Sequence, residues 1–309
     1  MPASKKSNHL DQLKKKYKHL KKDFSRRHKN IEKWAKSNNS ELDEYRQLAK
    51  QIMAAVTLAG QIAMTQPVEA RVQQQLQTFQ HREKKKLLEE ITKQEYQEIM
   101  QKMLEFTHLP PGNLPEDEEL YLEQQLTDIL GFDVTAELEG HRLNHTMGIM
   151  GGEQHLRRYP TDTLNDHDAY LEAGMASNRG AFGWFTENGQ LTPKAIMKEK
   201  YYFAVQTLYL PDWNQDYTEL KPWYKFRKMI VVNPAERIAI VGVVGDAGPA
   251  LWVKKQFGGS PEIIREGKIW SPKTKGKILL FFIDDPNDQV PLGVIDLNWE
   301  ETEGGENET

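Results

Sequence analysis

Four of the nine histidines fall between His141 and Asp168, among carboxylates and arginines. Imidazole and carboxylate together are the donor set that holds zinc and related divalent ions. His141 and His145 are four residues apart, so a helix would carry both on one face, and Glu153, His155, Asp162, Asp166, His167 and Asp168 could complete a site. The pair departs from the His-Glu-x-x-His pattern of zinc proteases, because Arg142 stands where the general-base Glu would be. The same stretch also reads as a polar loop in which His155, Arg157 and Asp162 hydrogen-bond one another and brace a neighbouring domain. The bracing loop leads, with no cofactor expected; His141, His145, Glu153 and His155 are the candidates if a metal binds.

A second chemical element is Asp246-Ala-Gly-Pro249, which follows the apolar run Ile238–Val244. A carboxylate fixed at a strand end by Gly and Pro stands at the rim of a groove, where partial burial would suit it to protonate a glycosidic oxygen. An Asp beside Gly also commonly accepts backbone N–H bonds within a turn. Glu262, Glu187 and Asp162 are candidate partner carboxylates. Trp184 and Trp252 are candidate sugar-stacking surfaces, with Thr186, Ser260, His155 and Arg157 as polar contacts, because an indole face packs well on the apolar face of a pyranose. Of Trp184, Trp213, Trp223 and Trp252, at least two are expected in the core.

These groups need a scaffold, and from residue 181 onward the chain reads as short strands between turns. Phe182–Phe185, Tyr201–Val205, Lys228–Val232, Ile238–Val244, Ile278–Ile283 and Gly293–Ile295 are three- to seven-residue apolar runs, or nearly so, broken by Asn-Pro, Gly-Gly and Asp-Pro. The expectation is an α+β chain, a helical N-terminal region followed by a small six-stranded barrel. Its divisions are a basic arm over 1–50, a helical stalk or export signal plus helix over 51–107, and a linker, short helix and His-rich loop over 108–175. The barrel follows over 176–296 and an acidic tail over 297–309. Helices are expected over 68–106, from apolar positions near a 3.6 period, and from Glu116 to Leu130, closed by Gly131.

Asp246-Ala-Gly-Pro249 and Gly259-Ser-Pro-Glu262, with Phe182–Gly189 before them and Asp284–Gly293 after, resemble the double-psi β-barrel of rare lipoprotein A, expansins and related cell-wall proteins. The resemblance spans about residues 176–296 and implies a groove that binds, and in lytic members cleaves, a wall polysaccharide such as peptidoglycan. Lytic members carry a His after the first turn, and Phe203–Leu208 here has none.

Charge is unevenly placed. Residues 1–40 hold 13 Lys and Arg against 3 Asp and Glu, which leaves −14 for the rest of a chain whose total is −4. The arm could therefore meet an acidic membrane surface or a helical partner, and a non-catalytic scaffold is the main alternative function, a metal-dependent hydrolase the next. Nucleic acid is not the expected partner, because a run such as His81–Lys86 is ordinarily a solvated helix face. The apolar run Ile52–Met64 reads either as the core of an export signal, giving a cell-envelope or secreted protein, or as a buried helix, giving a cytoplasmic one. The absence of Cys excludes disulfides, thiolate metal sites and a Cys nucleophile. No Gly-rich nucleotide loop or serine-hydrolase elbow is present.

Overall fold

A computed structural model of the chain describes residues 91–167, 170–269 and 275–299, all within the unit Pro67–Thr309. The basic arm, the run 52–64, the helical stretch 68–90, Asp168 and the tail beyond 299 lie outside the described residues. In chain order the elements are α1 (Lys93–Phe106), α2 (Glu116–Leu130), β1 (Val134–Thr135), β2 (Glu137–Leu138), β3 (His141–Arg142) and β4 (Met147–Gly152). There follow α3 (Pro193–Lys200), β5 (Tyr202–Val205), α4 (Tyr217–Tyr224), β6 (Lys228–Asn233), β7 (Ile238–Asp246), β8 (Phe257–Gly259), α5 (Pro261–Glu266), β9 (Lys275–Ile283) and β10 (Gly293–Asp296).

Six strands close on themselves in the order β4, β8, β5, β7, β6, β9 and back to β4. Two of the contacts, β4 with β8 and β5 with β7, are parallel and the other four antiparallel, an arrangement compatible with a double-psi barrel. Closure leaves no free edge in the ring; β1 and β10 pair with the remaining lengths of β9 and β7. β7 is buried along almost its whole length, because other segments cover it on both faces, so it reads as a continuous apolar run rather than an alternating one. Ile230, Val232, Ile240, Val241, Leu279 and Phe281 are solvent-inaccessible, and burying each such side chain stabilises the fold by about 1.5–3 kcal/mol.

Helix α1 begins in a capping box: Thr92 Oγ1 accepts from the Glu95 N–H at 3.2 Å and Glu95 Oε2 accepts from the Thr92 N–H at 2.7 Å. It buries Tyr96, Met100 and Met103, a three- and four-residue spacing that fits one helical face. In α2 the first turn holds Glu116, Asp117, Glu118 and Glu119, which suits the positive end of the helix dipole. The helix ends, as expected, at Gly131 in the left-handed region (φ 72°).

Two expectations are corrected. Phe182–Phe185 is not a strand: it forms turns that bury Phe182 and Phe185, and the barrel's first strand is instead Met147–Gly152. The Phe rings anchor the segment, while its backbone takes no part in the ladder. His141 and His145 do not share a helix face either; His141 lies in β3 and stacks 4.2 Å from Trp223, and His145 lies in the loop after it.

Candidate functional site at one end of the barrel

The ladder places Gly151, Gly258, Ala204 and Asp246 in a row across β4, β8, β5 and β7. Residues two apart on a strand share a face, so Glu153, just beyond β4, points to the same side as Gly151. Its carboxylate lies over Gly258, where a Cβ would come within 2.4 Å of Glu153 Cγ and Oε1; only glycine leaves that space. Glu153 and Asp246 therefore stand at the same end of the barrel, three strand spacings or about 14 Å apart along the ladder, a gap that the Glu153 side chain narrows by reaching over β8. Lys255 Nζ orients Glu153 from 2.8 Å, and the Glu153 side chain keeps 30% of its surface exposed.

Asp246 Oδ1 accepts the N–H of Ala181 at 2.8 Å and of Ala247 at 3.0 Å. The Ala181 N–H reaches it because Gly180 passes tightly over Gly245, where a Cβ would be 2.6 Å from the Gly245 carbonyl. Oδ2 takes no hydrogen bond among the described residues, so one oxygen is a turn acceptor and the other faces outward. Around this rim, Trp252 is 80% exposed on the loop after Pro249, and half-buried Trp184 lies three residues past Ala181, with the Arg179 guanidinium 5.8 Å from its ring centre. Trp213 and Trp223 belong to the core, as expected of two of the four indoles.

Behind the rim lies a buried polar cluster. Glu199, at the C-terminal turn of α3, receives His155 Nδ1 on Oε1 at 3.0 Å and faces His167 Nδ1 with Oε2 at 3.1 Å. Glu262 Oε2, from α5, lies 4.0 Å from His155 Nδ1 and has no hydrogen-bond partner. His167 Nε2 meets Asp162 Oδ2 at 2.9 Å, and Arg158 clasps the same carboxylate through Nη2 at 2.7 Å and Nε at 3.2 Å. The side chains of His155, His167, Glu199 and Glu262 are 0 to 3% exposed.

Burial pushes the Glu262 carboxyl up to about 7, with the neighbouring Glu199 adding to the rise and His155 opposing it. For Asp162 burial acts upward but is outweighed by the bonds from Arg158, so its carboxyl lies below the usual range. For His167 burial acts downward and is outweighed by the contact with Glu199, so its imidazole lies above the usual range. The donor atoms of His155, His167 and Glu199 lie within 4.8 Å of one another and form the group, among the described residues, that could hold a metal ion.

Rim and cluster meet at Tyr202. This fully buried phenol donates its hydroxyl to the Gln154 carbonyl, and the charges of Glu199, Glu153, Asp246 and Glu262, with burial foremost, raise its pKa well above the ordinary value.

The sequence candidates thus separate. Asp162, His155 and Glu262 share one cluster, but inside; Asp246 and Glu153 lie nearer the surface, at opposite ends of the row across β4, β8, β5 and β7. Glu187 lies elsewhere: it accepts from Thr192 Oγ1 at 2.7 Å and pairs with Lys198 at 3.1 Å, beside an open hollow of about 720 Å³ that Lys198 helps line. Thr186 precedes it and is half-buried. Ser260 is committed to the backbone, capping α5 through the Ile263 N–H and donating to the Lys200 carbonyl at 2.6 Å. The expected brace of His155, Arg157 and Asp162 does not form: Arg158 and His167 hold Asp162, whereas His155 meets Glu199 and Arg157 donates to the Pro160 carbonyl. Glu199 is the member that sequence reasoning missed, because Lys198-Glu199-Lys200 resembles a solvated face; its place four residues after buried Ala195 marks it as inward. His141 and His145 join no metal-competent group among the described residues.

No helix among the described residues is long and apolar enough to cross a membrane. No family model, curated protein or solved structure matches the chain.

Proposed function

We propose that this chain is a cell-envelope protein that binds a wall polysaccharide such as peptidoglycan along the Asp246 rim and cleaves it by acid–base chemistry. The observation that carries the reading is the placing of two half-buried carboxylates, Asp246 and Glu153, at one end of a closed barrel, with the exposed indole of Trp252 six residues past Asp246. Asp246 Oδ2 would give its proton to the glycosidic oxygen, and Glu153 would draw a proton from the attacking water. Glu262 and Asp162 are sealed from any polymer at 1 and 2% exposure, so Glu153 replaces them as partner.

The test is incubation of the full chain with purified peptidoglycan, comparing wild type with Asp246→Asn and reading soluble fragments by mass spectrometry. Fragments from wild type alone support the reading. Binding by both without fragments reduces it to a binder of the expansin kind, and binding by neither overturns it.

A further inference from the structure

We propose that His155, His167, Glu199 and Glu262 form a closed, structural binding site for one divalent transition-metal ion of the zinc class. Asp162 anchors the cluster on one side. It is held ionised by two nitrogens of Arg158 and by the Arg158 backbone N–H at 2.9 Å, so its contact with His167 Nε2 requires a proton on that nitrogen. The Nδ1 of His167, on the other side of the ring, faces Glu199 Oε2 at 3.1 Å. The approach lies within ion-pair distance yet out of line for a hydrogen bond, and Nδ1 has no hydrogen-bond partner. Glu262 Oε2, likewise sealed from water, has none.

Two buried polar atoms without hydrogen-bond partners, beside Glu199 and His155 on residues that converge from a loop and two helices, are what a cation would satisfy at once. Asp162 on the far nitrogen of His167 is the usual outer partner of a metal-bound imidazole, fixing its tautomer and orientation. Arg158, the nearby cation, is already matched by Asp162. His155, His167 and Glu199 supply two imidazole nitrogens and a carboxylate oxygen within 4.8 Å of one another, and Glu262 Oε2, 4.0 Å from His155 Nδ1, would be the fourth donor of a set suited to Zn²⁺. Near-zero exposure leaves no open position for substrate, which makes the ion a staple. It would clamp the 155–167 loop onto α3 and α5, directly behind Glu153.

The test is metal analysis of the purified full chain, followed by chelation, readdition of Zn²⁺ or Co²⁺, and thermal melts. The expected result is one ion per chain, a Tm that falls on chelation and recovers with Zn²⁺, and the strong visible absorption of tetrahedral Co²⁺. Asp162→Asn should fold and bind Zn²⁺ about 10- to 100-fold more weakly. Glu262→Gln, which keeps the shape, should change the Co²⁺ spectrum. Wild type that folds without stoichiometric metal, and whose Tm is unmoved by chelator and by added Zn²⁺, overturns the proposal whatever the variants do. None of these readouts depends on polysaccharide cleavage.

Discussion

The Tyr202 hydroxyl donates to the Gln154 carbonyl and so ties barrel strand β5 to the residue that separates Glu153, on the rim, from His155, in the buried cluster. One phenol thereby fixes the point where surface chemistry and interior support join. Tyr202→Phe removes only the oxygen. It is expected to cost about 1 kcal/mol in urea unfolding, since the exposed Gln154 can turn its carbonyl to water, and to reduce polymer cleavage by more than that loss explains.

Asp246 has two separable tasks, which two substitutions divide. Asp246→Asn retains an oxygen for the N–H groups of Ala181 and Ala247 and should melt close to wild type while losing fragment release. Asp246→Ala removes both bonds and should in addition lose about 1–3 kcal/mol of stability. Equal stability of the two variants would contradict the turn geometry.

Trp252 contributes nothing to the core, so Trp252→Ala should leave Tm unchanged while weakening retention on insoluble polysaccharide by about 1 kcal/mol, or roughly fivefold. A drop in Tm without a change in retention would assign the indole to folding.

Acid stability should depend on Asp285. Burial alone would raise its pKa, but the Lys228 ammonium and the N–H groups of Gln289 and Val290 outweigh burial and hold the carboxyl below its usual range. A depressed carboxyl contributes stability that is fully present above the unfolded value of about 4 and is lost as pH falls through the lower folded value. Urea midpoints measured from pH 6 down to pH 2 should fall in that lower range, and Asp285→Asn should flatten the slope. Lys228→Met, which strands a carboxylate only 6% exposed, should cost about 3–5 kcal/mol at neutral pH.

The parts of the fold visible in the sequence are those with strong local signals. Gly131 stops α2 where an acidic, apolar-periodic run ends, and β6, β7 and β9 are β-branched or aromatic runs bounded by turns. Strand β4, Met-Gly-Ile-Met-Gly-Gly, carries no such signal, because its glycines answer to neighbours far along the chain: a Cβ at Gly148 would stand 2.8 Å from Gln256. Asp246 was legible from its turn residues. Its partner Glu153 was not, since only the register of β4, β8, β5 and β7 brings the two to one rim. The buried cluster was half-visible for the same reason: His155, Asp162 and His167 share one loop, whereas Glu199 and Glu262 arrive from helices 44 and 107 positions beyond His155.

Tyr96, near the start of α1, donates its hydroxyl to the Leu297 carbonyl at 2.6 Å, and its ring lies 5.4 Å from that of Trp299. The two ends of the described body are thus pinned together across 201 positions of sequence. Tension applied between the flanking segments would load this clasp first and bypass the barrel, so the Asp246 rim would keep its geometry while the chain on either side is pulled. The same closure makes the body a loop in space, one that could be cut at an exposed turn such as Asn188-Gly189 and rejoined through α1 and β10 with its ladder intact.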